Sequence, residues 1–352
     1  MSLKSLKIGD LTVKYPIVQG GMGVGISRYK LAGAVAKAGG MGIISTAQIG
    51  YDEPDFYKNP IEANLKAIHK HIKSAKEISN DGPVGVNIMV ATKEYNRYIK
   101  AACEAGTDCI ISGAGLPVTL PGLVKDYESV KIAPIVSSEK AAHVILKMWD
   151  RKFNRTADFL VIEGPKAGGH LGFSREDLDH ISDLNYDKEI KKIIQVKKSY
   201  EEKYNVSIPV LVAGGIFTHE DILHVISLGA DGVQIATPFV VTEECDASQA
   251  YKQAYLDAKE EDIQIVISPV GMPGRAIRNK FLKDLEVKPE PIQHCFHCLE
   301  KCNPKNTPYC ITKALINAVE GNLDQGLIFC GSNAARLTHM TTVPELMKEL
   351  VQ

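Results

Sequence analysis

The chain carries almost no charge imbalance: 41 Lys and Arg against 42 Asp and Glu leave a formal net charge of −1 over 352 residues. Without a basic field there is little to attract a phosphate backbone or an anionic bilayer, so neither nucleic acid nor membrane is an expected partner. No apolar run reaches the roughly 18 residues a spanning helix needs. Residues 1–16, MSLKSLKIGDLTVKYP, hold no unbroken apolar stretch of the kind that marks a secretory leader, and a cytoplasmic protein is expected. Cysteine is sparse as well, eight in the whole chain with half of them late. A disulfide framework calls for a higher density in a shorter chain, so reduced thiols or metal ligands are expected.

What is present is an ordinary globular composition, 45% hydrophobic and 24% charged, able to bury a sizeable core. The length exceeds the roughly 250 residues of one α/β barrel and falls short of two full enzymatic domains. After a start that alternates as a hairpin would (6–15), short runs rich in Val and Ile recur at 17–19, 42–45, 84–88, 109–112, 132–136, 159–163, 210–213 and 232–235. Amphipathic stretches long enough for crossover helices lie between them, at 30–38, 61–78, 95–105, 139–151, 187–204 and 218–228. Eight strands that are nearly all apolar must be covered on both faces, and closing them into a (β/α)8 TIM barrel does so; a doubly wound open sheet is the alternative. Past Ala258 the rhythm breaks into a segment rich in Pro, Cys and Lys (268–308), then helical patterns at 311–319 and 343–350. The expected organisation is a barrel over 1–262 and a Cys-containing C-terminal extension over 263–352, packed on the barrel.

In such a barrel the strand C-termini form the active face. Gln19-Gly20-Gly21-Met22-Gly23 follows the first strand, and residues that small let a flat ring approach the backbone. The seventh strand ends in Ala213-Gly214-Gly215-Ile216 with Thr218 as a helix N-cap, and the eighth in Gln234-Ile235-Ala236-Thr237. Backbone N–H groups of those two loops can hold a phosphate without an arginine; the alternative is a pair of tight packing turns. After the sixth strand, Glu163-Gly164-Pro165-Lys166-Ala167-Gly168-Gly169-His170 sets one imidazole among glycines. His170 is the candidate catalytic residue, since an imidazole titrates near neutrality and can move a proton or bind a substrate oxygen. Lys166, Arg275, Arg278 and Asn279 read more simply, the first as a solvated lysine and the others as anchors of the extension.

Taken in order, YPIVQGGMG, GVNIM, EGPKAGGHLG, VAGGI and GADGVQIATPF, with PGRAIRNKF beyond them, resemble the nitronate monooxygenase and 2-nitropropane dioxygenase family. The set is also similar to the related flavin-dependent enoyl-acyl-carrier-protein reductases. The resemblance implies FMN as cofactor, with Gly21, Met22 and Asn87 near the flavin ring, Gly214, Gly215, Gln234 and Thr237 at its phosphate end, and Gly169 also among the cofactor-binding residues. It makes His170 the active-site histidine. One departure is that ATPF stands where many relatives resemble GTRF, so Pro238 removes a cation and a backbone donor. The implied reaction is oxidation of an alkyl nitronate to a carbonyl compound and nitrite; the alternative is NAD(P)H-dependent reduction of an enoyl thioester. The partner is then a small-molecule nitronate or acyl thioester, and a homodimer stays open.

Within the extension Cys295, Cys298, Cys302 and Cys310 follow the spacing C-x2-C-x3-C-x7-C. Four thiols so close point to an iron-sulfur cluster or zinc, with His294 and His297 as substitute ligands and four free thiols as the plain alternative. The remaining cysteines, Cys103, Cys109, Cys245 and Cys330, are scattered and expected to be packed.

Overall fold

The computed structural model describes residues 3–269 and 271–352. Numbered along the chain, the strands are a hairpin β1 (Leu6–Ile8) and β2 (Leu11–Val13), then β3 (Ile17–Gln19), β4 (Gly42–Ser45), β5 (Val84–Met89), β6 (Cys109–Gly113), β7 (Lys131–Val136), β8 (Leu160–Glu163), β9 (Gly169–His170), β10 (Val210–Ala213), β11 (Gly232–Ile235), β12 (Ile263–Ile267) and β13 (Pro273–Ile277). The helices are α1 (Tyr29–Lys37), α2 (Pro60–Ser79), α3 (Tyr95–Glu104), α4 (Leu120–Leu123), α5 (Glu139–Phe153), α6 (Arg175–Asp179), α7 (Tyr186–Tyr204), α8 (His219–Ser227), α9 (Thr237–Val240), α10 (Gln249–Asp257), α11 (Lys280–Val287), α12 (Ile311–Glu320) and α13 (Val343–Val351).

Eight parallel strands run in the order β3-β11-β10-β8-β7-β6-β5-β4. Met41 closes the ring, donating its N–H to Ile17 O at 3.0 Å and accepting from Gln19 N at 2.9 Å. This is the (β/α)8 barrel expected from the βα rhythm. Each strand is apolar on both faces because each face meets protein. Val18, Ile43, Ile111, Val161 and Leu211 point inward and pack with Leu6, Ile8 and Val13 of the hairpin, which plugs the N-terminal end. Their neighbours Ile17, Ile44, Ile110, Ile162 and Val212 point outward against the helices. The helix ends follow local chemistry. Ser138 caps α5 by accepting from Ala141 N, Thr218 and Asp221 form a capping box at α8, and Asn80, Asn154 and Asn205 end α2, α5 and α7 in the left-handed conformation. Among the described residues no helix is long and apolar enough to cross a membrane.

The extension differs from the sequence expectation in two respects. Residues 263–277 form an antiparallel pair, β12 with β13, and β13 pairs on its other edge with β9, so a three-stranded sheet joins the extension to the loop that carries His170. The final helix is not peripheral either. α13 packs between α8 and α1, where a complete ring would carry its eighth helix, while the helix following β11, α9, has only four residues. Val343, Leu346, Met347 and Leu350 are buried there in the main core. Met347→Ala is therefore expected to lower unfolding stability by about 2–5 kcal/mol, as for other buried Met deletions, measurable as a lower urea midpoint.

Candidate active site

The C-terminal ends of the strands surround a cavity of about 470 Å3, roofed by the extension. Every residue predicted for the flavin and for catalysis lines it: Gly21, Met22, Asn87, Gly169, His170, Gly214, Gly215, Gln234 and Thr237. The shape of the first loop comes from Gln19, whose amide donates to Ser27 Oγ at 2.8 Å and accepts from Ile43 N at 3.2 Å. Ser27 Oγ in turn accepts from Met22 N at 2.9 Å. Gly21 then lies so close to β5 that a Cβ there would stand 2.6 Å from Asn87 Cβ. Two motifs far apart in sequence thus meet because one of them has no side chain.

On the opposite wall Gly214 and Gly215 adopt φ of +91° and +88°, and their loop abuts the chain following β8. Gly331, from the extension, approaches so closely that a Cβ there would stand 2.5 Å from Thr237 Oγ1. Asn333 Nδ2 donates to Gly215 O at 2.8 Å. The region expected to hold a phosphate is therefore built from three segments, two on the barrel and one on the extension.

His170 is held from several sides. Strand β9 pairs it with Gly274, and Leu171 N donates to Pro273 O at 2.9 Å. Its ring packs edge-on against Phe329 at a centroid distance of 5.2 Å, and Tyr255 Oη donates to Phe329 O. The buried Arg275 guanidinium donates to Pro165 O at 2.9 Å and to Ala167 O, fixing the turn before His170. Arg275 is thus an anchor, and so is Asn279, whose amide bonds Leu323 O and Gly326 O. Burial lowers the His170 pKa to about 4, so the imidazole is neutral at physiological pH. Its Nε2 is buried without a hydrogen-bond partner, and so is Oε1 of Gln234. Buried polar atoms are rarely left unpaired, and two on one cavity indicate a ligand that satisfies both.

Several lining groups carried no motif that pointed to them. Phe329, Cys330 and Gly331 come from the extension, and Ala114 (φ 53°) and Gly115 (φ +127°) come from the turn after β6. The glycine-rich run Ser112-Gly113-Ala114-Gly115 was the available signal for that turn. Glu163, the last residue of β8, also lines the cavity; with Lys166 it supplies the only charged side chains there among the described residues. Burial raises the Glu163 pKa to about 7. The native state therefore keeps a proton that an unfolded chain releases near the ordinary carboxylate pKa. Stability from this group is full below that pKa and declines as pH rises through about 7. Glu163→Gln is expected to gain about 1–3 kcal/mol over the wild type at pH 8 and little at pH 4.5. Equal stability differences at both pH values, measured by urea unfolding, would contradict the assignment.

The four late cysteines, Cys295, Cys298, Cys302 and Cys310, are all free and partly buried. Among the described residues no group of three or more His, Cys, Asp or Glu side chains is placed to hold a metal ion. The other four, Cys103, Cys109, Cys245 and Cys330, are buried as expected.

The sequence model of one family, described as nitronate monooxygenase, matches residues 4–352. A protein of Staphylococcus saprophyticus called probable nitronate monooxygenase is 28% identical over 84% of this chain and 85% of its own length. Among solved structures, FabK from Thermotoga maritima aligns with a TM-score of 0.72 at 24% identity, covering 96% of this chain and 92% of that one. A nitroalkane oxidase from Streptomyces ansochromogenes aligns with a TM-score of 0.71 at 20% identity, covering 95% and 94%. At those identities the two structures attest the fold.

Proposed function

The chain belongs to the nitronate monooxygenase family and is a flavin-dependent oxidoreductase, and from that premise we propose that it binds FMN in the barrel-mouth cavity and oxidises small alkyl nitronates to carbonyl compounds and nitrite, with dioxygen as the oxidant and the source of the carbonyl oxygen. The observation that carries this reading is the pair of unpartnered buried atoms, His170 Nε2 and Gln234 Oε1, on one cavity. Gly21, Met22, Asn87 and Gly169 would hold the flavin ring, and Gln234, expected at the phosphate end, is assigned to the ring as well, because its unpartnered carbonyl oxygen suits a ring N–H better than a phosphate. Gly214, Gly215 and Thr237 would hold the phosphate with backbone N–H groups and a hydroxyl, as glycine-rich turns at a barrel mouth commonly do. The bound flavin supplies the electron-accepting chemistry, and the protein supplies position and electrostatics.

His170 is a neutral imidazole in this reading, and its free Nε2 orients the substrate by a hydrogen bond to a nitronate oxygen. A neutral donor suits the site, because an imidazolium there would have to overcome the burial that depresses its pKa. Lys166, exposed at the cavity wall, supplies the single cationic side chain among the described residues lining the cavity for an anionic substrate. The loops that roof the cavity limit water access to the reacting carbon.

The decisive experiment is the visible spectrum of the purified protein under anaerobic conditions. Bleaching of bound flavin by an alkyl nitronate, with NADH and NADPH inert, is the expected result. Rapid bleaching by either nucleotide would instead favour enoyl-thioester reduction. A protein that takes up no flavin on reconstitution would defeat both readings.

A further inference from the structure

Arg275 is 4% exposed, yet no carboxylate pairs with it among the described residues. Arg28 and Lys197, buried nearly as deeply, each have one, Asp52 at 2.7 Å for the first and Glu201 at 3.0 Å for the second. The Cys330 thiol beside Arg275 does not replace the missing anion, because burial pushes its pKa up to about 12 and keeps it neutral. Burying a cation is costly unless an anion accompanies it. Anchoring alone does not require that cost. Asn279, four residues further on, clamps two carbonyls, Leu323 O and Gly326 O, with a neutral amide. Lys252 is also buried without an ion pair among the described residues, but the carbonyls it serves, Thr242 O and Glu243 O, belong to residues that do not line the cavity.

The Arg275 guanidinium holds the turn after β8 by its carbonyls. Pro165 O accepts at 2.9 Å, and Ala167 O accepts as well. In a trans peptide the N–H points opposite to the carbonyl, so the N–H groups of Lys166 and Gly168 point away from the guanidinium. Both residues line the cavity, and neither N–H has an acceptor among the described residues. Two free N–H groups on one turn, each backed by a cation, suit an anion. The turn lies at the end of the cavity expected to hold a phosphate. A Cβ on Gly214 would stand 3.0 Å from Ala167 N, one on Gly168 would stand 2.7 Å from Gly331 N, and one on Gly331 would stand 2.5 Å from Thr237 Oγ1.

We propose that Arg275 is the counter-charge for the phosphate of the cofactor, acting through the Lys166 and Gly168 N–H groups, which add a third wall to the phosphate site beside the Gly214 and Thr237 loops. This role rests on FMN being the cofactor. Arg275 is a positioning residue, since a layer of backbone separates it from the ligand. It fixes the turn, and it supplies a charge that buried surroundings screen weakly. A ligand without the phosphate gains nothing from that charge.

FMN and riboflavin differ only in the phosphate, so they separate this role from plain anchoring. Dissociation constants for both are read from flavin fluorescence on titrating the apoprotein. Arg275→Gln, which keeps a neutral amide donor, should cut the preference for FMN over riboflavin by about 10-fold or more. Arg275→Lys, which keeps the charge, should restore most of it. Arg278→Gln, which removes an exposed cation paired with Glu286, should leave the preference unchanged. Should Arg275→Gln fail to fold, phosphorus NMR of FMN bound to the wild type still decides. The bound phosphate should stay dianionic down to about pH 5, below its usual second pKa of about 6. Equal weakening of FMN and riboflavin in Arg275→Gln, or a bound phosphate that titrates at its usual pKa, would overturn the role of Arg275 and leave the flavin reading intact. A wild type that binds neither flavin would defeat that reading, and this role with it.

Discussion

His170→Ala is expected to lower kcat/KM for a small alkyl nitronate by about 10²–10⁴-fold while the protein still binds flavin. The imidazole is neutral and half-buried, its Nε2 is buried without a partner, and its neighbours hold it in place without using that nitrogen. Removing it takes away a substrate contact and leaves the sheet that carries it, since β9 pairs with β13 through backbone groups alone. The pH profile offers a second readout. With a pKa near 4, this residue should contribute no inflection to kcat/KM between about pH 5 and pH 8, and a limb near pH 7 that persists in the variant belongs to another group, with Glu163, whose pKa burial raises to about 7, the candidate in the cavity. Turnover unchanged by the substitution would remove His170 from the chemistry. Loss of flavin along with turnover would recast it as a cofactor-positioning residue.

Gly214→Ala is expected to weaken flavin binding by at least about 100-fold, read as fluorescence recovery on titrating the apoprotein. Two costs combine. The backbone sits at φ +91°, where an L side chain costs about 1–2 kcal/mol. The new Cβ would also stand 2.8 Å from Gly164 O and 3.0 Å from Ala167 N, so the chain leading to His170 must move with it. Gly106→Ala separates the two effects, because Gly106 has a comparable φ of +79° but nothing within 4 Å of the added Cβ. That control should cost only the backbone strain, about 1–2 kcal/mol of stability, and leave the flavin in place. If both variants bind flavin equally well, the close approach of the Gly214 loop has no part in holding the cofactor.

The barrel was legible in the sequence because each strand is buried on both faces, which makes short Val and Ile runs stand out between amphipathic stretches. Val210–Ala213 and Gly232–Ile235 coincide with the predicted strands for this reason. The candidate site was legible where motifs end strands, as at Gly21, Gly214 and His170. It was illegible where tertiary pairing makes the site. Ile263–Ile267 has the alternating character of a strand, yet its burial is only partial and its partner is a β-strand of five residues beside a Pro- and Gly-rich turn. Nothing in the local pattern says that the second edge of that partner is His170. Phe329 and Gly331 reach the cavity by the same long-range route. Glu163 opens the run that carries His170 but suggested no role of its own, because a carboxylate at a strand end is ordinary until the walls around it exclude water.

The position of α13 bears on how the protein folds. Closing the outer ring brings residues near one end of the described chain against α1 near the other, and the β9 to β13 pairing, though about a third of that span, also joins distant parts of the sequence. Contacts of such long separation repay their loop-closure entropy only after most of the intervening chain is ordered. The barrel strands and their local crossovers would then assemble first, and the seam between α8 and α1 would fill late. Substitutions in α13, Met347→Ala among them, should accordingly speed unfolding far more than they slow folding.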